Sequence, residues 1–121
     1  MTAISRGRAA EDHACAHLLS AGLVLLERNY HCRRGEIDLV LQDADTLVFV
    51  EVRYRRQNSF GSAMESVDRR KQARLIAAAQ HYLQARPNTA RLNCRFDVIA
   101  ITGQEKTLEW IRHAFSVDEQ I

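Results

Sequence analysis

Two neighbouring segments, GEIDLVLQ (35–42) and TLVFVEVRY (46–54), constrain the fold most. Each alternates with a period of two, is rich in branched apolar residues, and is separated from the other by Asp43-Ala44-Asp45, so the pair predicts an antiparallel hairpin. In the first strand Ile37, Leu39 and Leu41 share one face, and Glu36, Asp38 and Val40 share the other. In the second, Val48, Val50 and Val52 oppose Phe49, Glu51 and Arg53. A tight turn about Ala44 and Asp45 sets Leu39 opposite Val50, Asp38 opposite Glu51 and Glu36 opposite Arg53, a register that one added residue would undo. Facing carboxylates are unfavourable in a sheet. A divalent cation would neutralise Asp38 and Glu51, and so would a proton on one of them.

The rest of the chain supplies a cover for this hairpin. A helix is expected from about Ser5 to Ala21, with Gly22 at its C-terminal end and Ala14, Cys15, Leu18 and Ala21 as its apolar stripe. Stepping back one turn from Ala14 and Cys15 reaches Glu11, at the edge of the inward face. LVLLERNY (23–30) reads as a strand preceding the hairpin. A second helix starts at Ser62 or Asp68, both capping residues, and runs to Arg86, where Pro87 stops it. Val67, Leu75, Ala78, Ala79, Tyr82 and Leu83 form its buried stripe. CRFDVIAI (94–101) and TLEWIRHAF (107–115) are two further strands. The order is α-β-β-β-α-β-β, and a long helix between two strands implies a parallel crossover within a mixed sheet. The expected class is α/β in three layers.

With 121 residues the chain fits a single domain, 1–121. No apolar run approaches the roughly 20 residues that span a membrane. The start carries acids and histidine where a signal peptide needs an apolar stretch, so a cytoplasmic location is expected. Cys15, Cys32 and Cys94 are odd in number and widely spaced, which predicts buried reduced thiols rather than disulfides. The net charge of +2 is unevenly spread. Residues 35–52 contain five acids and no base, whereas residues 53–74 contain seven bases and two acids. An acidic hairpin beside a basic segment suits a cation-assisted site on a polyanion.

Glu11, Asp38 and Glu51 are therefore candidate ligands for Mg²⁺ or Mn²⁺, hard ions that take oxygen donors and often a substrate phosphate. Arg53, two residues beyond Glu51 on the same face, is placed to hold that phosphate. Arg33, Arg34, Arg55, Arg56, Arg69, Arg70, Lys71 and Arg74 are the candidate contacts to a nucleic-acid backbone. Glu36 is expected to pair with Arg53 or Arg34, and Asp97 to serve hydrogen bonding in a strand near the sheet edge. Phe60, in the basic loop, is the candidate for a stacking or dimer contact.

Gly35-Glu36-Ile37-Asp38-Leu39-Val40 followed by Val48-Phe49-Val50-Glu51-Val52-Arg53-Tyr54-Arg55 resembles the D…ExK core of the PD-(D/E)xK nuclease superfamily. Within it the chain is most similar to the YraN-like family, small bacterial proteins grouped with archaeal Holliday-junction resolvases. The likeness extends to Gly7–Glu11, Ser66–Leu75 and Arg95-Phe96-Asp97-Val98. It implies a restriction-endonuclease-like fold and Asp38, Glu51 and Arg53 as the catalytic set. It also implies metal ligation by Asp38, Glu51 and the Val52 carbonyl, with Glu11 in support. DNA, branched or flapped, is the implied substrate, and a homodimer the implied assembly. Arg53 stands where the superfamily has lysine, and arginine cannot act as a base. A non-cleaving DNA-binding accessory protein is thus the alternative to an endonuclease, and a protein-interaction module the third reading.

Overall fold

The computed structural model describes residues 3–55, 67–89, 91–103 and 107–117, with side chains from residue 7 onward. Helix α1 (Ala3–Ser20) leads into strands β1 (Val24–Cys32), β2 (Gly35–Asp43) and β3 (Thr46–Arg55). Helix α2 (Arg69–Ala85) and a short 3₁₀ turn (Pro87–Thr89) precede β4 (Asn93–Thr102) and β5 (Thr107–Phe115). The five strands form one mixed sheet in the order β1-β2-β3-β4-β5. Among the described strands the β3–β4 pair, joined through α2, is parallel and the others antiparallel. The α/β class and the order of elements are those expected from the sequence.

Local chemistry explains the boundaries. Gly22 adopts φ +99, its N–H donates to the Leu19 carbonyl, and the Leu23 N–H donates to that of Leu18. This paired closure needs a left-handed residue just past the helix, which glycine adopts without steric cost. At the start of α2 the Asp68 carboxylate accepts the Lys71 N–H at 2.9 Å, so Asp68 is the cap. The alternative start at Ser62 lies outside the described residues, as do Arg56 and Phe60.

Each face of the sheet carries its own core. Phe49, Leu47, Val40 and Ile37 pack with Leu75, Ala78, Ala79 and Tyr82 of α2. Val48, Val50, Leu39 and Leu41 pack with Ala10, Ala14, Cys15 and Leu18 of α1. Helix, sheet and helix form three layers, and β2 and β3 are buried on both sides. The α2 stripe gains buried Ile76 and Gln72, whose amide donates to the Val67 carbonyl, while Ala21 at the end of α1 is exposed. Of the cysteines, Cys15 is buried, Cys32 half-buried and Cys94 exposed, so burial holds fully for one of three. Among the described residues no helix is long and apolar enough to cross a membrane.

One expected face is corrected. Ile37 does not share the side of Leu39 and Leu41, since it lies in the α2 core with Val40. The switch falls at Asp38, opposite Asn29, which has φ 54 and lies between the pairs Arg28–Leu39 and Tyr30–Ile37. A left-handed residue inside a strand rotates the local pleat, so strict alternation cannot carry through it. This rotation aims Asp38 at the site.

Candidate functional site

The hairpin register is the expected one, running from Asp43–Thr46 to Leu39–Val50. Ala44 makes the tight turn in a left-handed conformation. Past Leu39–Val50 a side chain continues the pairing, as the Asp38 Oδ2 accepts the Val52 N–H at 2.8 Å. That bond anchors Asp38 near Glu51, whose charge acts on it. In a strand the N–H and C=O of one residue point to the same side, so the Val52 carbonyl is directed toward the same notch.

Charge is concentrated here under cover. Glu51 is only 4% exposed and faces α2. Burial, and next the charge of Glu51, push the Asp38 carboxyl up to about 7. Two carboxylates in contact cannot both ionise cheaply, so a proton sits between them over the acid and near-neutral range. Glu11, projecting from α1, is also raised, first by burial and then by the charge of Asp38. The switch of sidedness at Asp38 lets one carboxylate meet Glu51 on the α2 side and feel Glu11 from the α1 side.

Two cations attend Glu51. Its Oε2 lies 3.4 Å from Lys71 Nζ and 3.5 Å from Arg53 Nε. Arg53 thus lies on the same face as Glu51. Lys71 was expected only among the phosphate contacts, yet the first turn of α2 carries its ammonium to the acid pair. The signal that could have found it is the Asp68 cap, which fixes where the helix begins and hence which basic residue of the Arg69-Arg70-Lys71 run turns inward.

Glu36 does not pair with Arg53 or Arg34. It lies 3.1 Å from His31 Nδ1, both groups being well exposed, because the rotation at Asn29 and Asp38 removes Glu36 from the face of Arg53. Asp97 is 1% exposed and serves hydrogen bonding, as expected. It accepts from Arg95 Nε, Trp110 Nε1 and the His113 N–H, and Arg95 also reaches Asp43. Arg28 bonds Asp12 at 2.8 Å and lies 3.6 Å from Glu11.

Two cavities flank the acids. One, of about 510 Å³, is lined by Gly7, Arg8, Glu11, Asp12, Arg28 and Asn29. The other, of about 380 Å³, lies by the β1–β2 turn and α2 and includes Arg33, Arg34, Lys71 and Arg74. Arg69 and Arg70 are exposed at the start of α2, and Arg55 is half-buried at the end of β3. The basic residues therefore divide into a group on one cavity and a more dispersed remainder.

The donor set fits a hard cation in part. Asp38 and Glu51 bring carboxylate oxygens close together under cover, and oxygen donors are what such an ion takes. Among the described residues, no three of the acids, histidines and cysteines stand close enough to form a metal cage by themselves. Any bound ion would need further oxygens from water or substrate, which is usual for Mg²⁺.

Comparison with known proteins places the chain in a family. The model of the uncharacterised protein family UPF0102 matches residues 10–101. A UPF0102 protein of Stutzerimonas stutzeri (strain A1501) is 61% identical over 113 residues, covering 92% of this chain and 94% of that protein. One from Nitrosococcus oceani is 52% identical over 115 residues, covering 93% of each chain. A third, from Pseudomonas entomophila (strain L48), is 54% identical over 112 residues, covering 90% of this chain and 91% of its own. Over a span that takes in the acid pair, both attending cations and all of α2, the chain belongs to the UPF0102 family, the YraN-like group that its hairpin motif resembles.

Proposed function

We propose that the protein is a metal-dependent endonuclease that hydrolyses phosphodiester bonds in DNA, with the restriction-endonuclease-like arrangement its motif resembles. The observation that carries this reading is Asp38, held by the Val52 N–H at 2.8 Å, beside a Glu51 that is 4% exposed and attended by Arg53 and Lys71. Mg²⁺ or Mn²⁺ would be held by Asp38, Glu51 and the Val52 carbonyl, with Glu11 supporting from α1. Such an ion supplies polarisation of the phosphoryl oxygen and a lowered pKa for an attacking water.

The chain's own residues do the rest. The Val52 N–H fixes the Asp38 carboxylate, so one ligand is oriented before substrate arrives. Arg53 can bridge two phosphate oxygens with its planar fork. Lys71, a compact charge with three donors, can take the part played by lysine in the ExK motif, although it comes from the helix. Both cations lie on Glu51 and can turn to an incoming phosphate. A homodimer remains the expectation that the resolvase likeness implies.

A second reading has its own observation. Because Arg53 and Lys71 already neutralise Glu51, the site can persist without a metal, as a DNA-binding accessory protein without hydrolysis would require. Single-turnover cleavage of linear, flapped and four-way DNA with Mn²⁺ separates the two. The endonuclease reading expects wild type to cut at least one substrate, Glu51→Gln to cut none, and Arg53→Ala to be slower by roughly tenfold, about 1.4 kcal/mol of transition-state stabilisation. Arg53→Lys should keep or raise the rate. Cleavage by Glu51→Gln at the wild-type rate would refute this site, and binding without any cleavage leaves the accessory reading.

A further inference from the structure

The described arginines differ in their surroundings. Arg28, Arg86 and Arg95 are each ion-paired with carboxylates, and Arg112 stacks on Trp110 with its guanidinium 4.0 Å from the ring centre. Arg33, Arg34 and Arg74 differ, since among the described residues no carboxylate lies within ion-pair distance of them. All three line the cavity of about 380 Å³, with Lys71 as a fourth cation. Among the described residues the one acid on its wall is Glu36, which is engaged with His31. Arg33, Arg34 and Arg74 are solvent-exposed, and like charges gathered on one concave surface form a positive focus that attracts an anion.

The packing brings this focus about. A Cβ on Gly35 would stand 2.8 Å from the Arg74 carbonyl oxygen, so the β1–β2 turn approaches the α2 backbone more closely than any side chain permits. That approach sets Arg33 and Arg34 against Arg74 and Lys71. Lys71 faces two ways, as it lines the cavity and also lies 3.4 Å from Glu51. An anion in the cavity is thus a neighbour of the acid pair.

We propose that this cavity is a phosphate seat, which anchors the substrate strand by one phosphate beside the acid pair. The inference rests on the nucleic-acid reading of the site and adds where the strand is gripped. Guanidinium forks match phosphate oxygens two at a time, which makes three of them around one cavity a suitable cradle. The phosphate is either the terminal monoester of a strand or an internal diester, and the two share this chemistry.

The test uses the full-length protein and an Arg34→Gln/Arg74→Gln variant whose melting curve shows it to be folded. Affinity is measured in EDTA for one single-stranded DNA made with a 5′-phosphate, with a 3′-phosphate and with neither. The variant should bind about tenfold more weakly, and its salt dependence should flatten by about one unit of log–log slope. A wild-type preference for one phosphorylated end, lost in the variant, assigns the seat to a terminal phosphate. Equal loss on all three strands assigns it to an internal one. Unchanged affinity and slope in the variant overturn the proposal, as does a wild type that binds none of the strands. Cleavage with Mn²⁺ keeps the two readings apart: phosphate-dependent binding without cleavage retains the seat and removes hydrolysis, and cleavage with the same KM in both proteins does the reverse.

Discussion

Replacing Asp38 with Asn should stabilise the protein in alkaline solution and leave it nearly unchanged in acid. Asn retains an oxygen to accept the Val52 N–H and offers an amide proton to Glu51, so the hydrogen bonds survive while the negative charge does not. In wild type the folded chain holds the Asp38 proton up to about 7, against 3.8 for an ordinary aspartate. Between those values the unfolded chain releases a proton that the folded chain keeps, so wild-type stability falls as pH rises through this window and levels off above it. Roughly three pK units at 1.36 kcal/mol each set a ceiling of about 4 kcal/mol. Asp38 is not fully covered and Glu51 can shift, so about half of that, ~2 kcal/mol, is expected. For a chain of this length this is a rise in Tm of about 8 °C at pH 8, shrinking towards zero at pH 4. Calorimetric melting of both proteins at the two pH values measures the difference directly, and titrating groups remote from Asp38 cancel. Millimolar Mn²⁺ should then raise the Tm of wild type at pH 8, less at pH 6 where the proton competes, and not that of the variant. A variant that melts below wild type by the same margin at both pH values would refute the crowded-carboxylate argument.

Three further changes probe the surrounding structure. Lys71→Met keeps most of the unbranched side chain but frees Glu51 of one cation, and should slow any Mn²⁺-dependent cleavage by at least about tenfold; a rate equal to wild type would remove lysine from the site. Asp97→Ala strands Arg95 and the Trp110 N–H in the sheet, and should destabilise by about 3–5 kcal/mol in urea unfolding, whereas Asp97→Asn should recover part of that loss. Gly35→Ala must push the β1–β2 turn off α2, with an expected loss of about 1–3 kcal/mol and weaker DNA binding, both absent if the turn simply gives way.

Much of the fold was legible because it rests on short-range rules. Period-two alternation marks β2 and β3, Gly22 closes α1, Asp68 caps α2 and Pro87 follows it, and each signal acts within a few residues of itself. The hairpin register was likewise readable from the tight turn about Ala44 and Asp45, and it runs as expected as far as Leu39–Val50. What the sequence could not express is how elements distant along the chain meet. The rotation at Asn29 and Asp38 arises from pairing between β1 and β2, and it decided that Asp38 lies between two faces and that Glu36 turns to His31. The inward turn of Lys71 depends on α2 packing across β2, and the gathering of Arg33, Arg34 and Arg74 depends on Gly35 meeting the α2 backbone. Local propensity acts along the chain, whereas charge and excluded volume act through space. The sequence alone therefore determined the strands and the hairpin register, and only tertiary packing decided how Asp38 is aimed and which cations surround Glu51.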